Sequence, residues 1–127
     1  MKRRNIALVP TLKLLGNINT LDQVRNYARA GGQILFGTDV GFVEDFDPAD
    51  EYESMSSAGL GWREILASLT TGPADRFREG HRRGRLSPGM DADLVVLGTD
   101  PSLGAKAFTD VRYTIRKGRI VYAVAIK

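Results

Sequence analysis

The sequence predicts an α/β chain in two parts, with parallel strands and helices over residues 1–83 and antiparallel strands over 84–127. Two observations predict this division. The apolar runs NIALVP (5–10) and ILF (34–36) flank one amphipathic segment. Strand, helix and strand in that order are typical of a βαβ unit, in which the strands are parallel. The end of the chain instead alternates apolar and polar residues around a Lys-Gly turn, which indicates a hairpin.

The helix between the two apolar runs has its own start and stop signals. Thr20, with Gln23 three residues later, is typical of a capping box and predicts the first turn. Gly31 and Gly32 predict its end. An apolar stripe at helical spacing predicts the buried face: Leu21, Val24, Tyr27 and Ala28.

Further helices are predicted after the second strand. Asp47 and Pro48 are typical of an N-cap and first turn, and Gly59 predicts the end of that helix. Another helix begins near Trp62, and TTGPADRF breaks it before a short helix with Pro73 in its first turn. Its apolar stripe has the spacing i, i+3, i+4 and i+7: Trp62, Ile65, Leu66 and Leu69.

The last third of the chain predicts three strands. ADLVVL (92–97) is the first, and VRYTIRKGRIVYAVAIK (111–127) contains the other two around Lys117 and Gly118. Alternation in the hairpin predicts an antiparallel sheet with one face buried and one face in water.

The composition excludes several classes of protein and site. The 127 residues contain no cysteine, which excludes disulfides, thiolate metal sites and a cysteine nucleophile. The net charge of +3 is too small to argue for a nucleic-acid or membrane partner. The first apolar run is too short for a signal peptide, and none is long enough to span a membrane. We therefore expect a cytoplasmic protein.

Asp39 is the first candidate for chemistry, because it follows the apolar run of ILFGTD. A strand that is apolar on both faces belongs to a covered parallel sheet, and active sites lie at the carboxyl ends of such strands. Spacing alone favours the simpler interpretation that Asp39 caps a turn or helix. A functional interpretation therefore needs further support.

Four stretches supply that support, since together they resemble the C-terminal end of amidohydrolase-superfamily enzymes, nearest to the imidazolonepropionase-like and prolidase-like metal-dependent hydrolases. In chain order the stretches are ALVPTL, AGGQILFGTDVG, AGLGWREILASLTTGPADRF and GRLSPGMDADLVVLGTDP. The last is the most specific, and the resemblance covers nearly the whole chain.

The resemblance implies a fold and a role for Asp39. The family fold is a TIM barrel with a small β-sandwich built from both chain ends. The chain would supply the last two βα units, strands seven and eight, and the C-terminal strands of the composite sandwich, so its barrel is incomplete. Asp39 matches the acid that binds the divalent metal, one or two zinc ions, and takes a proton from the attacking water. Phe42, in the loop after it, is a candidate substrate-binding residue.

The departures from the family pattern limit what the chain can do alone. The family's histidine ligands lie upstream of the part matched here, and the single histidine, His81, is in a different place. A TIM barrel also needs about 250 residues. We therefore expect a C-terminal fragment of a hydrolase acting on C–N bonds of cyclic or peptide-like amides, inactive by itself, that associates with the missing barrel portion or with copies of itself. The alternative is a non-catalytic, self-associating α/β interaction module.

Other charged residues are expected to be structural. His81 and the nearby Arg78, Arg82, Arg83 and Arg85 could form a phosphate or nucleic-acid patch, but a solvated connecting segment is favoured. The acidic run EDFDPADEYE fails the calcium-loop template and suits a helix N-terminus. We also expect structural roles for the tight-turn acids Asp91, Asp93 and Asp100, and for Trp62.

Overall fold

A computed structural model of the protein describes residues 6–42 and 44–125. The first part contains the strands β1 (Ala7–Leu8) and β2 (Gln33–Ile34) with five helices. The helices are α1 (Leu12–Leu15), α2 (Ile18–Arg29), α3 (Ala49–Ser57), α4 (Trp62–Leu69) and α5 (Thr71–Arg76). The second part contains the strands β3 (Leu94–Leu97), β4 (Val111–Arg116) and β5 (Arg119–Ala123), and the 3₁₀ turns Pro101–Leu103 and Ala105–Thr109. None of the described helices is both long and apolar enough to cross a membrane.

The predicted parallel pairing is confirmed, over shorter strands than the apolar runs suggested. Ala7 lies opposite Gln33 and Leu8 opposite Ile34 in a parallel pair. The amide of Leu35 extends the pairing by donating to the carbonyl of Leu8 at 2.9 Å. Regular β2 thus ends five residues before Asp39. The prediction of an α/β fold that begins with a βαβ unit is therefore confirmed.

The helix α2 begins earlier than predicted, so the assignment of Thr20 as its cap is wrong. Asn17 is the cap, because its Oδ1 accepts hydrogen bonds from the amides of Asn19 and Thr20 at 3.0 and 3.1 Å. The Thr20 hydroxyl instead donates to the carbonyl of Leu15 at 3.1 Å. Asparagine is as good an N-cap as threonine, and here it is the residue with extended backbone.

The core lies where α2, α3 and α4 meet β2. Met55 and Ala58 are fully buried, and Ile65 is 1% exposed. Three aromatic rings continue this core: Tyr52 stacks on Phe36 with ring centroids 4.8 Å apart and contacts Phe108 at 5.3 Å. The predicted stripes of α2 and α4 pack here, except Leu66, which is 38% exposed because α4 turns its Ile65 face inward.

The second sheet has the order β3–β4–β5, with both pairs antiparallel, as the hairpin signal predicts. The expectation of one buried face is wrong for β5, in which all five residues are exposed. Among the described residues of this sheet, Leu97 of β3 is the one that packs against the core cluster. The alternating pattern is therefore present in the strand, but no described segment covers either face of β5.

Candidate functional site

The carboxyl ends of β1 and β2 run side by side, and Asp39 lies at this edge. The close approach depends on Gly37, since a Cβ built there would lie 2.5 Å from Cγ1 of Val9 and 3.9 Å from Cγ2 of Thr11. Both Thr11 and Asp39 have left-handed backbone, with φ of 44° and 52°. Such conformations are costly outside glycine and occur at sites where the chain turns sharply.

Phe42 shares the turn that follows β2 with Asp39. Its amide donates to the carbonyl of Asp39 at 3.0 Å, which closes a tight turn. The Asp39 side chain is exposed at the strand edge, and Phe42 is 81% exposed. The two residues singled out in the sequence therefore lie in one turn, and both are exposed.

Glu51 in α3 is a buried carboxyl group that sequence reasoning did not single out. Its side chain is fully buried, and its Oε2 accepts a hydrogen bond from the amide of Lys13 at 2.6 Å. Its Oε1 has no hydrogen-bond partner among the described residues. A signal was present, because Glu51 shares one helical face with Met55 and Ala58 at i, i+4 and i+7.

Electrostatics connects Glu51 to Asp39. Burial raises the pKa of Glu51, because the charged form loses its hydration. The amides of Lys13 and Leu12 oppose that rise, and the negative charge of Asp39 adds to it. The edge of the parallel pair thus holds an exposed carboxylate, Asp39, whose charge helps to raise the pKa of a buried carboxyl group, Glu51.

Lys13 connects the turn after β1 to the loop after β2. Its side chain is 7% exposed, and its Nζ lies 2.7 Å from Oδ2 of Asp45. The same ammonium also donates to the carbonyls of Asp45, at 3.4 Å, and Asp47. The Lys13 hydrogen bond holds the pKa of Asp45 below its usual value.

The described residues do not by themselves fit a metal ion. They contain no group of three or more histidine, aspartate or glutamate side chains that could hold one. His81 is exposed in the turn-rich segment after α5, as predicted for a loop residue. Because a catalytic zinc needs about three protein ligands, Asp39 alone is an incomplete set.

Most of the remaining charged candidates have structural partners. Arg82 and Arg83 pair with Asp91 at 2.8 and 3.2 Å, and Arg85 pairs with Asp75 at 2.7 Å. These arginines lower the pKa values of both aspartates. As expected, the turn acids accept hydrogen bonds from backbone amides. Asp93 accepts from the amide of Lys117 and Asp100 from the amide of Ser102, both at 2.8 Å. Trp62 packs against the core, and its ring lies 4.2 Å from the guanidinium of Arg63.

Known proteins match three quarters or more of this chain. An imidazolonepropionase of Kosmotoga olearia is 28% identical over 114 residues, which is 76% of this chain and 27% of the relative. A Xaa-Pro dipeptidase crystal structure with methionine bound in its active site has a TM-score of 0.85 and 21% identity, covering 98% of this chain and 36% of that one. A putative prolidase from Bifidobacterium longum has a TM-score of 0.76 and 25% identity, covering 95% and 36%.

The chain spans about a third or less of the length of these three proteins. A family model described as "Amidohydrolase family" matches residues 6–122, which include the parallel pair, the edge that carries Asp39 and all of the second sheet except the last residue of β5. The resemblance noted in the sequence is therefore confirmed, and the chain belongs to the amidohydrolase family.

Proposed function

We propose that the chain is the C-terminal part of a metal-dependent amidohydrolase that cleaves C–N bonds in cyclic or peptide-like amides. In this proposal β1 and β2 are the last two strands of a TIM barrel, and β3–β5 belong to a composite β-sandwich. The observation that carries it is the position of Asp39 at the carboxyl edge of the parallel pair, within the matched residues. Catalytic groups of barrel enzymes lie at this edge.

Asp39 has the chemistry that the proposal needs. An exposed carboxylate at a strand end can accept a proton from an attacking water and pass it to the leaving amine. The exposed ring of Phe42, in the same turn, would contact an apolar part of the substrate. The names of the matched proteins support a small-molecule amide or dipeptide as substrate. The cytoplasmic location stays a prediction.

The divalent metal, zinc in one or two copies, would need ligands from outside the described residues, since Asp39 alone does not hold it. We therefore expect no hydrolysis by the 127-residue chain with added zinc. Hydrolysis by the pure chain that disappears in Asp39→Asn would contradict this expectation. Asparagine is a matched change, because it tolerates the left-handed backbone of this position.

The first experiment is to read the genomic DNA directly upstream of the Met1 codon. An in-frame His-x-His followed by further histidines is the expected result. In the longer protein, Asp39→Asn should then lower kcat by about 10²-fold or more, the usual effect of losing a general base. A stop codon and a promoter immediately upstream of Met1 would contradict the proposal.

A second candidate function is a self-associating interaction module without catalysis. It is favoured by the exposed apolar side chains of the second sheet, which would be covered in a dimer or in a complex with another barrel segment: Val95, Val96, Ile120, Val121 and Tyr122. Sedimentation velocity of the pure chain tests this candidate. A dimer or larger species supports it, and a monomer at all concentrations contradicts it.

A further inference from the structure

The buried ammonium of Lys13 joins the two chain segments that leave the carboxyl ends of β1 and β2. One segment is Thr11 with the first turn of α1, and the other comprises the described residues 39–42 and 44–48. A lysine side chain that is 7% exposed is unusual, because burying an ammonium costs free energy unless its donors are satisfied. Its location between the two segments therefore calls for an explanation.

The three donors of the ammonium have three acceptors, all in the second segment. These are Oδ2 of Asp45 at 2.7 Å, the carbonyl of Asp45 at 3.4 Å and the carbonyl of Asp47. A lysine ammonium has three N–H groups, so its donor capacity is filled. Side-chain oxygens order the same loop, since Asp45 Oδ1 accepts from the amide of Asp47 and Asp47 Oδ1 from that of Ala49, both at 2.9 Å.

The backbone of Lys13 is fixed from the other side. Its amide donates to Oε2 of Glu51 at 2.6 Å, and Glu51 is fully buried in α3. The helix α3 begins directly after the loop that the ammonium binds. Lys13 is thus held at its amide by the helix and in turn holds the loop that leads into that helix.

We propose that Lys13 is a positioning residue, which holds the loop carrying Asp39 and Phe42 against the turn after β1. The proposal rests on the proposed function, in which Asp39 is the site acid. The ammonium anchors the loop at Asp45 and Asp47, and the parallel pair anchors it before Asp39. With both ends fixed, Asp39 and the ring of Phe42 keep a defined position at the strand edge.

Amide hydrogen exchange by NMR on the 127-residue chain tests the proposal. The reporters are the amides of Phe42, Asp47 and Ala49, which are hydrogen-bonded inside the loop, and that of Ile65 in α4. Lys13→Met should speed exchange of the loop amides by about tenfold or more, the effect of losing hydrogen bonds to a charged group. The amide of Ile65 should be unchanged.

The controls separate positioning from general stability. Lys13→Arg keeps the charge and should restore most of the loop protection. Lys106→Met removes an exposed lysine that pairs with Glu53 of α3 at 3.1 Å. This variant should leave the loop amides unchanged. Asp45→Asn removes the negative charge of the other partner and should speed exchange of the Phe42 and Ala49 amides, which covers the case in which Lys13→Met does not fold. The Asp47 amide is not a reporter in this variant, because it donates to Asp45 Oδ1.

Two results would overturn the proposal: unchanged loop exchange in Lys13→Met and Asp45→Asn, or equal acceleration of the loop amides and Ile65. The exchange rates do not depend on activity or metal. A stop codon upstream of Met1 would therefore contradict the proposed function and leave this test intact.

Discussion

The two sheets of this protein carry similar apolar side chains but bury them to very different degrees. Ile65, beside the parallel pair, is 1% exposed, whereas Ile120 in β5 is 62% exposed. Helices α2, α3 and α4 pack around the parallel pair. No described segment covers β5, the outer strand of the second sheet. An alternating pattern thus shows which side chains could be buried, and the rest of the fold decides which ones are.

An aromatic contact is among those that join the two regions. Phe108, from the turn before β4, is 5% exposed and packs on Tyr52 of α3. Tyr52 in turn stacks on Phe36 after β2. The division into residues 1–83 and 84–127 remains a prediction, and Phe108 is where it can be tested.

The largest expected effect follows from removing this contact. Phe108→Ala should lower the free energy of unfolding by about 3–5 kcal/mol, because a buried ring is lost and a cavity remains. Phe77→Ala, at a phenylalanine that is 71% exposed, is the matched control and should cost less than about 0.5 kcal/mol. Urea denaturation measures both. Equal small effects would mean that the two regions are stable independently of Phe108.

The second prediction compares the two sheets directly. Ile65→Ala should cost about 2–5 kcal/mol in urea denaturation, since its side chain is fully packed. Ile120→Ala makes the same chemical change on an exposed strand and should cost less than about 0.5 kcal/mol. A large cost for Ile120→Ala would show that its face is covered in solution, as self-association requires.

The third prediction concerns the segment between the regions. Gly84 and Gly89 both have positive φ, 89° and 86°, but only Gly84 is crowded. A Cβ there would lie 2.6 Å from Cβ of Ala74 and 2.9 Å from the carbonyl of Thr70. Both alanine variants should lose about 1–2 kcal/mol from the left-handed backbone, and Gly84→Ala about 1–3 kcal/mol more. Equal thermal shifts would argue against the packing of Gly84 on α5.

The smallest expected effect is a pH dependence that belongs to the first region. Because the pKa of Glu51 is raised above 4.5 in the folded protein, the folded state binds this proton more tightly than the unfolded state. Stability should therefore fall as pH rises from 4.5 through the folded pKa. Denaturation at several pH values should show this fall in the wild type and not in Glu51→Gln.

Glu53→Gln, which removes a half-exposed carboxylate from the same helix, should keep the wild-type pH dependence. The pKa values of Asp45, Asp75 and Asp91 are lowered, so their contributions are lost only at pH values near or below 3.8. They act in a different pH range from Glu51. Parallel curves for the wild type and Glu51→Gln would contradict the assignment.

Local signals predicted much of the fold and part of the candidate site. The βαβ order, the ends of α2 and α3 at Gly31 and Gly59, and the hairpin at Lys117 all depend on neighbours within a few residues. The position of Asp39 after an apolar run was visible in the same way. Thr20 failed as a cap because two good capping residues, Asn17 and Thr20, lie three positions apart and local preference ranks them closely.

The sequence by itself determined the types and order of the longer helices and of the strands, and the carboxylate that follows the second strand, because these follow from short-range spacing. It did not predict α1 or the 3₁₀ turns. Only the tertiary structure decided that Glu51 is buried, that Lys13 binds both it and the loop after β2, and that β5 is exposed. Lys13 lies 38 residues from Glu51 and 32 from Asp45 along the chain. Contacts over such separations depend on how the whole chain packs, and the spacing of neighbouring residues does not predict them.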